Sequence, residues 1–298
     1  MGAFRFEPVF GCWALYRYAD VQAAFRDPRF AISPTPVDET AHTWTLRNAA
    51  NQTLTADKIA AWRRSLADLP FEPGEDLVSS VAEPWSHAAA LRLVDVLHPD
   101  PALLDLARAV FRGGADPMDA DARAAGDAAG VELAQRLPQT LGPLTVQAFV
   151  AVSQTLQAFL GAAWVALYEH PSQMPLWEDA ALEELLRFAG PAKAQFRYAA
   201  ESIDGVVSKG SRVALLIGEA NRDPEQFGAD AGVLNLRRNA AGHLAFGYGP
   251  HSCLGAHLVR MAALVAMPRF LNRCGSLRLV RADWRGSAIT APQSILVA

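Results

Sequence analysis

The stretch Phe246-Gly-Tyr-Gly-Pro-His-Ser-Cys-Leu-Gly255 decides how the chain is read. Three glycines and a proline within ten residues let the backbone turn tightly and approach a flat ligand closely. An apolar helical pattern follows, from Leu254 to Leu271. A cysteine at the start of a helix meets the positive end of the helix dipole, which predicts a lowered thiol pKa. One such thiolate in a tight loop, with no second cysteine near it, suits axial ligation of a heme iron. The plainer reading, a buried structural cysteine, leaves the glycines without a reason. A zinc site built from His251, Cys253 and His257 lacks a fourth ligand at usable spacing.

Outward from that loop, length and composition set the frame. The 298 residues suffice for one large domain or two small ones, and an apolar share of 51% can bury a sizeable core. A formal net charge of −4 and a pI near 6.0 give no general drive toward nucleic acid or anionic membrane. Cys12, Cys253 and Cys274 are odd in number and far apart, which argues against a disulfide framework and fits a reducing cytoplasm. The amino terminus lacks the basic-then-apolar layout of a signal peptide, and Phe6 stands where a myristoylation motif needs Ser or Thr. Residues 144 to 168 come nearest to a membrane span. They carry Gln147, Ser153, Gln154, Thr155 and Gln157, which lipid would penalise, so a buried helix of a soluble protein is expected.

Residues 4 to 16 alternate apolar and polar about Gly11 and read as a hairpin. A short helix from Asp20 to Arg26 is stopped by Pro28. Residues 31 to 54 read as polar and irregular. Helices are expected over Ala56 to Ala67 and Glu75 to Val96, before a loop with Pro99 and Pro101. Between residues 101 and 143, Gly113-Gly114 and Asp116-Pro117 separate two weak helices. The long apolar helix then runs to Tyr168, and another spans Trp177 to Phe188. Residues 195 to 217 read as strands around Asp204-Gly205, and residues 276 to 298 as a final set of strands. Strands at both ends of the chain need partners, so one domain over residues 1 to 298 is expected.

Two patterns on the helices matter. Gln147, Ala151, Gln154, Ala158 and Gly161 fall at steps of four and three and share one stripe. Such a stripe meets either a flat ligand or cavity, or a closely packed neighbouring helix. Glu184 and Arg187 are three apart on one face, which by itself gives only an ion pair.

Taken together, these residues resemble the cytochrome P450 family. Its heme loop reads Phe-Gly-x-Gly-x-His-x-Cys-x-Gly, matched at Phe246, Gly247, Gly249, His251, Cys253 and Gly255. Glu184-Leu-Leu-Arg187 resembles its Glu-x-x-Arg helix, and Ala220-Asn-Arg-Asp-Pro-Glu-Gln-Phe227 the segment before its irregular meander. Tyr16-Arg-Tyr-Ala-Asp-Val21 through Asp27-Pro-Arg-Phe30 resembles its first strand and helix. The resemblance is strong over residues 170 to 298, fair over 9 to 35 and weak between. It implies a mainly α fold with small β-sheets, shortened before Phe4 and within residues 101 to 143, where the family's F and G helices belong. A reduced lid of that kind should leave the distal pocket open.

The resemblance also implies roles. Heme b would bind through the Cys253 thiolate, with Phe246 beside the sulfur and Gly247 and Gly255 in the tight loop. His251 and Arg197 match positions that reach the heme propionates. His42 and Arg47 resemble a His-x-x-x-Arg pair with the same task, spaced here one residue wider. Glu184 and Arg187 would form a buried pair joined by a meander arginine. Gly232 stands at that position, and Arg237 is the nearest substitute. The family's acid-Thr pair on the long helix falls, counting back from His170-Pro171, on Gln154 and Thr155, and Val152 replaces a glycine. An amide has no titratable proton in range, so a proton relay there is impaired or rerouted through water. The expected function is a bacterial, cytoplasmic heme-thiolate monooxygenase acting on a secondary-metabolite intermediate, small or carrier-tethered. A separate ferredoxin or flavodoxin would supply electrons. Gln154 keeps open a heme enzyme of other chemistry, such as dehydration, isomerisation or peroxide-driven oxidation. The short lid keeps open an auxiliary, non-catalytic partner protein.

Overall fold

The fold is described from a computed structural model, which covers residues 4–35, 38–98 and 100–298. Helices dominate, and the strands form two small sheets.

The first sheet has the order β1-β2-β5-β4-β3, with β1 Arg5–Glu7, β2 Cys12–Leu15, β3 Phe30–Ala31, β4 Gln195–Ala199 and β5 Arg212–Leu215. The amino-terminal hairpin finds its partner late in the chain, where β2 runs parallel to β5 with Ala14 opposite Ala214. Asp204 and Gly205, at φ 51° and 69°, turn the chain between β4 and β5, as a two-residue primed turn requires. The second sheet pairs β6 Leu279–Arg285 with β7 Ala291–Val297 in antiparallel register.

The longer helices among the described residues are α1 Tyr18–Ala24, α2 Glu39–Thr53, α3 Ala56–Ala67, α4 Glu83–Leu93, α5 Ala102–Ala115 and α6 Ala120–Arg136. They continue with α7 Gly142–Glu169, α8 Leu182–Ala189 and α9 Ala256–Cys274. Helix α7 is long and apolar enough to cross a bilayer, but most of it is buried in the protein interior. It forms the axis of the main core with α3, α4 and α9. Trp164 stacks on Phe270 with ring centroids 5.0 Å apart, and Trp62, Leu66, Trp85 and Met267 are buried in the same cluster. Each large side chain buried in this way contributes roughly 1.5–3 kcal/mol.

Four expectations need correction. Residues 39–53 are helical, not irregular. Their Thr and Asn content hides the helix, but the Asp38 carboxylate caps it by accepting from the Ala41 N–H at 2.9 Å. Asp116-Pro117 separates the two expected helices, but Gly113 does not break one. It lies in the last turn of α5, and a Cβ there would stand 2.9 Å from the Ala122 carbonyl oxygen. Gly126 of α6 faces it, with a built Cβ 3.5 Å from Gly113 Cα, so the two glycines let α5 and α6 pack closely as a helical hairpin. The helix expected from Trp177 begins only at Leu182, after a short 3-10 turn at Asp179–Ala181. The helix expected from Glu75 opens with a π turn at Val78–Ala82 before α4.

Candidate heme-thiolate site

The loop before α9 takes its shape from its glycines. Gly247 and Gly249 have φ of 67° and 74°, which side chains other than glycine rarely adopt. At Gly249 a Cβ would also meet Arg26 Cγ at 2.9 Å and the Phe25 carbonyl oxygen at 3.2 Å. The Cys253 N–H closes the loop on the Phe246 carbonyl at 2.9 Å. The result is an exposed Cys253 whose sulfur lies 3.9 Å from where a Cβ on Gly255 would stand.

Cys253 lies before the first turn of α9, and its thiol is pushed up, not down as its sequence position suggested. The side chain is open on one side and crowded by protein on the others. Desolvation from that crowding outweighs the Gly255 N–H and the Arg260 guanidinium, which both favour the thiolate. A bound metal ion would deprotonate the thiol outright.

Around the loop stands a set of cationic and donor groups. Arg197, on β4, is only 3% exposed, and its guanidinium sits 5.3 Å over the Phe25 ring. It donates to the Phe196 carbonyl at 2.9 Å, but its Nη2 has no partner within the protein. Burial lowers its pKa, opposed by the charge of Glu39. Phe25 also lies 3.7 Å from where a Gly247 Cβ would stand, so Arg197 and the cysteine loop converge on one ring. His251 pairs with Thr43 Oγ1 at 3.1 Å and with the Glu39 carboxylate at 3.0 Å. Arg47 donates to the Pro250 carbonyl at 2.8 Å and to Ser252 Oγ at 3.2 Å. The side chain of His42 lies outside the described residues.

This donor set fits a heme. A buried guanidinium with an unused N–H, a histidine on the loop, an arginine of α2 bonded to the loop and the Cys253 thiol match a ligand bearing two carboxylates and a metal that takes a thiolate. Among the described residues no cluster of histidine, cysteine and carboxylate side chains could hold a metal ion. The zinc alternative therefore has no support here.

Behind the loop, Glu184 and Arg187 are both fully buried and joined by two hydrogen bonds of 2.6 and 2.7 Å. Arg187 also donates to the carbonyls of Asn221 and Ala231. The third member is Arg238, whose Nε reaches Glu184 at 3.2 Å and whose Nη2 reaches Asp230 at 2.9 Å. Arg237, the expected substitute, does not take this place. An adjacent clamp was not foreseen. Glu183 accepts from Arg260 at 2.6 and 2.8 Å and pairs with His243 at 3.1 Å, and Arg260 lies 4.7 Å over the Phe246 ring. Arg260 holds the Glu183 carboxyl down at about 2.

On α7, Ala151–Thr155 form a π turn. Ala148, Ala151 and Thr155 are half-buried on one face, while Val152, Ser153 and Gln154 are buried. Gln154 is 6% exposed, and its Nε2 has no partner within the protein. It lines a cleft with Gln157 and residues of α5 and β7. Gly161 instead packs against β7, where a Cβ would meet Pro292 at 3.1 Å. The small-residue stripe thus divides between a cleft and close packing.

A cytochrome P450 family model matches residues 150–277. Over 140 residues the chain is 37% identical to the cytochrome P450 monooxygenase PikC of Streptomyces venezuelae, covering 44% of this chain and 33% of that protein. The matched stretch thus spans about a third of that curated relative's length. Solved structures align over far more. The LnmA cytochrome P450 hydroxylase of Streptomyces atroolivaceus matches at 27% identity and a TM-score of 0.75, covering 96% of this chain and 90% of that one. P450BioI in complex with an acyl-loaded acyl carrier protein matches at 21% identity and a TM-score of 0.79, covering 97% and 92%. Over residues 150–277 the chain matches the cytochrome P450 family model, and in fold it is similar to bacterial cytochrome P450 structures over nearly its whole length.

Proposed function

We propose that residues 1 to 298 act as one heme-thiolate oxidoreductase domain, a monooxygenase of a secondary-metabolite intermediate. The observation that carries this reading is the Cys253 loop, whose two left-handed glycines present an open thiol on a loop that shares the Phe25 ring with the buried, under-bonded Arg197. When bound, heme b supplies the oxidising chemistry through iron held by a thiolate. Cys253 holds the iron, and Phe246 and Gly255 shape the surroundings of its sulfur. Gly247 keeps the loop thin. Arg197 would neutralise a propionate and His251 would hydrogen-bond one, with Arg47 bracing the loop and His42 as a further candidate.

Thr155 and Gln154 serve the distal side in this reading. The Thr155 hydroxyl can pass a proton, whereas the Gln154 amide can only orient a water by hydrogen bonding. That difference favours a second reading, a heme enzyme whose reaction does not consume protons in the usual way. Product analysis under labelled dioxygen separates the two, since a monooxygenase incorporates label and an isomerase or dehydratase does not.

The substrate is small or tethered to a carrier protein, a reading supported by the likeness to a structure solved with an acyl carrier protein bound. A separate ferredoxin or flavodoxin delivers electrons, and the protein works in the cytoplasm. The deciding experiment is the optical spectrum of purified protein, reduced and exposed to carbon monoxide. A thiolate-type band present in the parent and lost in Cys253→Ala supports the assignment. An unchanged spectrum in that variant removes it.

A further inference from the structure

The chain has three lysines, at positions 58, 193 and 209. Lys58 pairs with Asp95, and Lys209 is exposed. Lys193 is half-buried, with no carboxylate in ion-pair reach among the described residues. Its stem lies against the backbone at Gly218, where a Cβ would meet Lys193 Cδ at 3.2 Å. The Lys193 N–H donates to the Ala288 carbonyl at 2.8 Å, and its carbonyl accepts from the Gly218 N–H at 3.0 Å, so the side chain starts from a fixed place. The ammonium donates to the Gly190 carbonyl at 2.8 Å, just past the end of α8. Arg222 donates to the Phe188 carbonyl at 3.2 Å, with its guanidinium 4.7 Å over the Phe188 ring. Two cations thus converge on one helix end. Capping that end explains one hydrogen bond from each and leaves their remaining donors unengaged. Burial, then the charge of Arg222, hold the Lys193 ammonium down at about 8, as expected for neighbouring like charges with no counter-ion.

Both cations line a cleft of about 700 Å³, within the range of roughly 300–1,000 Å³ that takes a small organic ligand. Phe10, Leu216 and Val9 supply its apolar wall, and Phe10 packs edge-on against Phe196 at 5.1 Å. Side chains alternate along β4, so Phe196 and this wall lie on the opposite face of the first sheet from Arg197. The cleft is therefore separate from the cysteine-loop site. Its carboxylates are mostly engaged elsewhere. Arg5 holds Glu7 at 3.1 Å and Glu219 at 2.6 Å, and Asp223 accepts from the Tyr18 and Glu225 N–H groups at 2.8 and 2.9 Å. They leave Lys193 and Arg222 without a partner of opposite charge, yet they repel any ligand that carries several negative charges.

We infer that this cleft binds a small organic monocarboxylate, its carboxylate between Lys193 and Arg222 and its apolar body against Phe10 and Leu216. A carboxylate accepts from both cations at once and supplies the single negative charge that the pair lacks. An inorganic anion would leave the apolar wall in water, and a neutral ligand would leave the two charges unmatched. The site is independent of heme and of the proposed oxidoreductase activity.

The test uses four probes: hexanoate, acetate, 1-hexanol and hexylammonium. Each is titrated calorimetrically into the purified heme-loaded protein, with saturating 4-phenylimidazole present to occupy the iron and its pocket. Hexanoate should bind one to one and at least tenfold more tightly than the other three. Lys193→Met and Arg222→Gln should each weaken it about tenfold or more, the loss expected for one charge-assisted hydrogen bond. Acetylation by an N-hydroxysuccinimide ester, mapped by mass spectrometry, locates the site. Hexanoate should slow modification of Lys193 several-fold, with Lys58 and Lys209 as internal controls. Hexanoate that binds no more tightly than hexanol, folded variants that bind it like the parent, or a Lys193 left unprotected would overturn the inference. If Lys193→Met fails to fold, Arg222→Gln and the protection of Lys193 decide.

Discussion

Removing Arg187 tests the internal support of the heme loop. Arg187→Met strips the Glu184 carboxylate of its bidentate partner inside a site with no solvent access, and also frees the carbonyls of Asn221 and Ala231. Breaking one side of a buried ion pair typically costs about 3–5 kcal/mol, because the remaining charge is left uncompensated. Here the lower end applies, since Glu184 keeps the Asn235 N–H at 3.0 Å and Arg238 at 3.2 Å. Unfolding entropy of about 2.1 cal/mol/K per residue gives roughly 0.6 kcal/mol per degree for this chain, so the midpoint should fall by about 5 °C. The assay is differential scanning calorimetry of the heme-loaded protein. A Glu184→Met/Arg187→Met double variant sharpens it, because removing both charges should recover part of the loss. A single variant that melts within 1 °C of the parent, or a double variant worse than the sum of both singles, refutes the account of a buried, mutually dependent pair.

Gly249→Ala should lower heme occupancy, because the added methyl meets Arg26 and Phe25 at a backbone angle of 74°; pyridine-hemochrome titration reads the stoichiometry, and full occupancy would contradict the strain. Arg197→Met should act with opposite signs on the two forms: heme-free protein gains stability because an under-bonded buried cation is gone, while heme dissociates faster, as measured by transfer to apomyoglobin. Acid should loosen the Glu183–Arg260 clamp. The folded carboxyl titrates at about 2 against 4.5 when unperturbed, so its contribution is complete above pH 4.5 and fades as pH falls toward 2. Discounted for its partial exposure, that contribution is about 1–2 kcal/mol, and Glu183→Gln should flatten this part of the stability profile.

The cysteine loop and the two ends of the first sheet were legible because their cues are local. Glycine spacing announces the turn at Gly247 and Gly249, and Asp204-Gly205 announces its hairpin. What escaped reading was long-range or masked by composition. Helix α2 carries Thr and Asn throughout and reads as loop until the Asp38 cap is seen. Glu39 meets His251, and Glu183 meets Arg260, across most of the chain, with no spacing rule to link them. Arg238 was missed in favour of its neighbour because a meander has no period from which to count. The Cys253 thiol was read from helix polarity alone, and desolvation, which needs the packed structure, decides its direction.

The lid changes meaning in the same way. A shortened F and G region read from sequence suggests an open pocket, yet α5 and α6 pack through Gly113 and Gly126 and are tied down at their junction. The Ala115 carbonyl accepts from the Ser287 and Ala288 N–H groups at 3.2 and 3.0 Å, and the Ala288 carbonyl accepts from Lys193 and Ala194. The hairpin tip therefore joins the lid to the segment that leads into β4, on which Arg197 lies. A disturbance at that tip reaches both at once. Ser287→Pro removes one N–H of this latch, together with the hydroxyl that donates to Ala115 and Asp116, while keeping the strand pairing of β6 and β7. If the lid is held here, amide exchange in α5 and α6 should quicken several-fold in this variant and exchange in α9 should not. Unchanged exchange in α5 would mean that the glycine-packed hairpin holds itself in place, and that the tip contributes nothing to its closure.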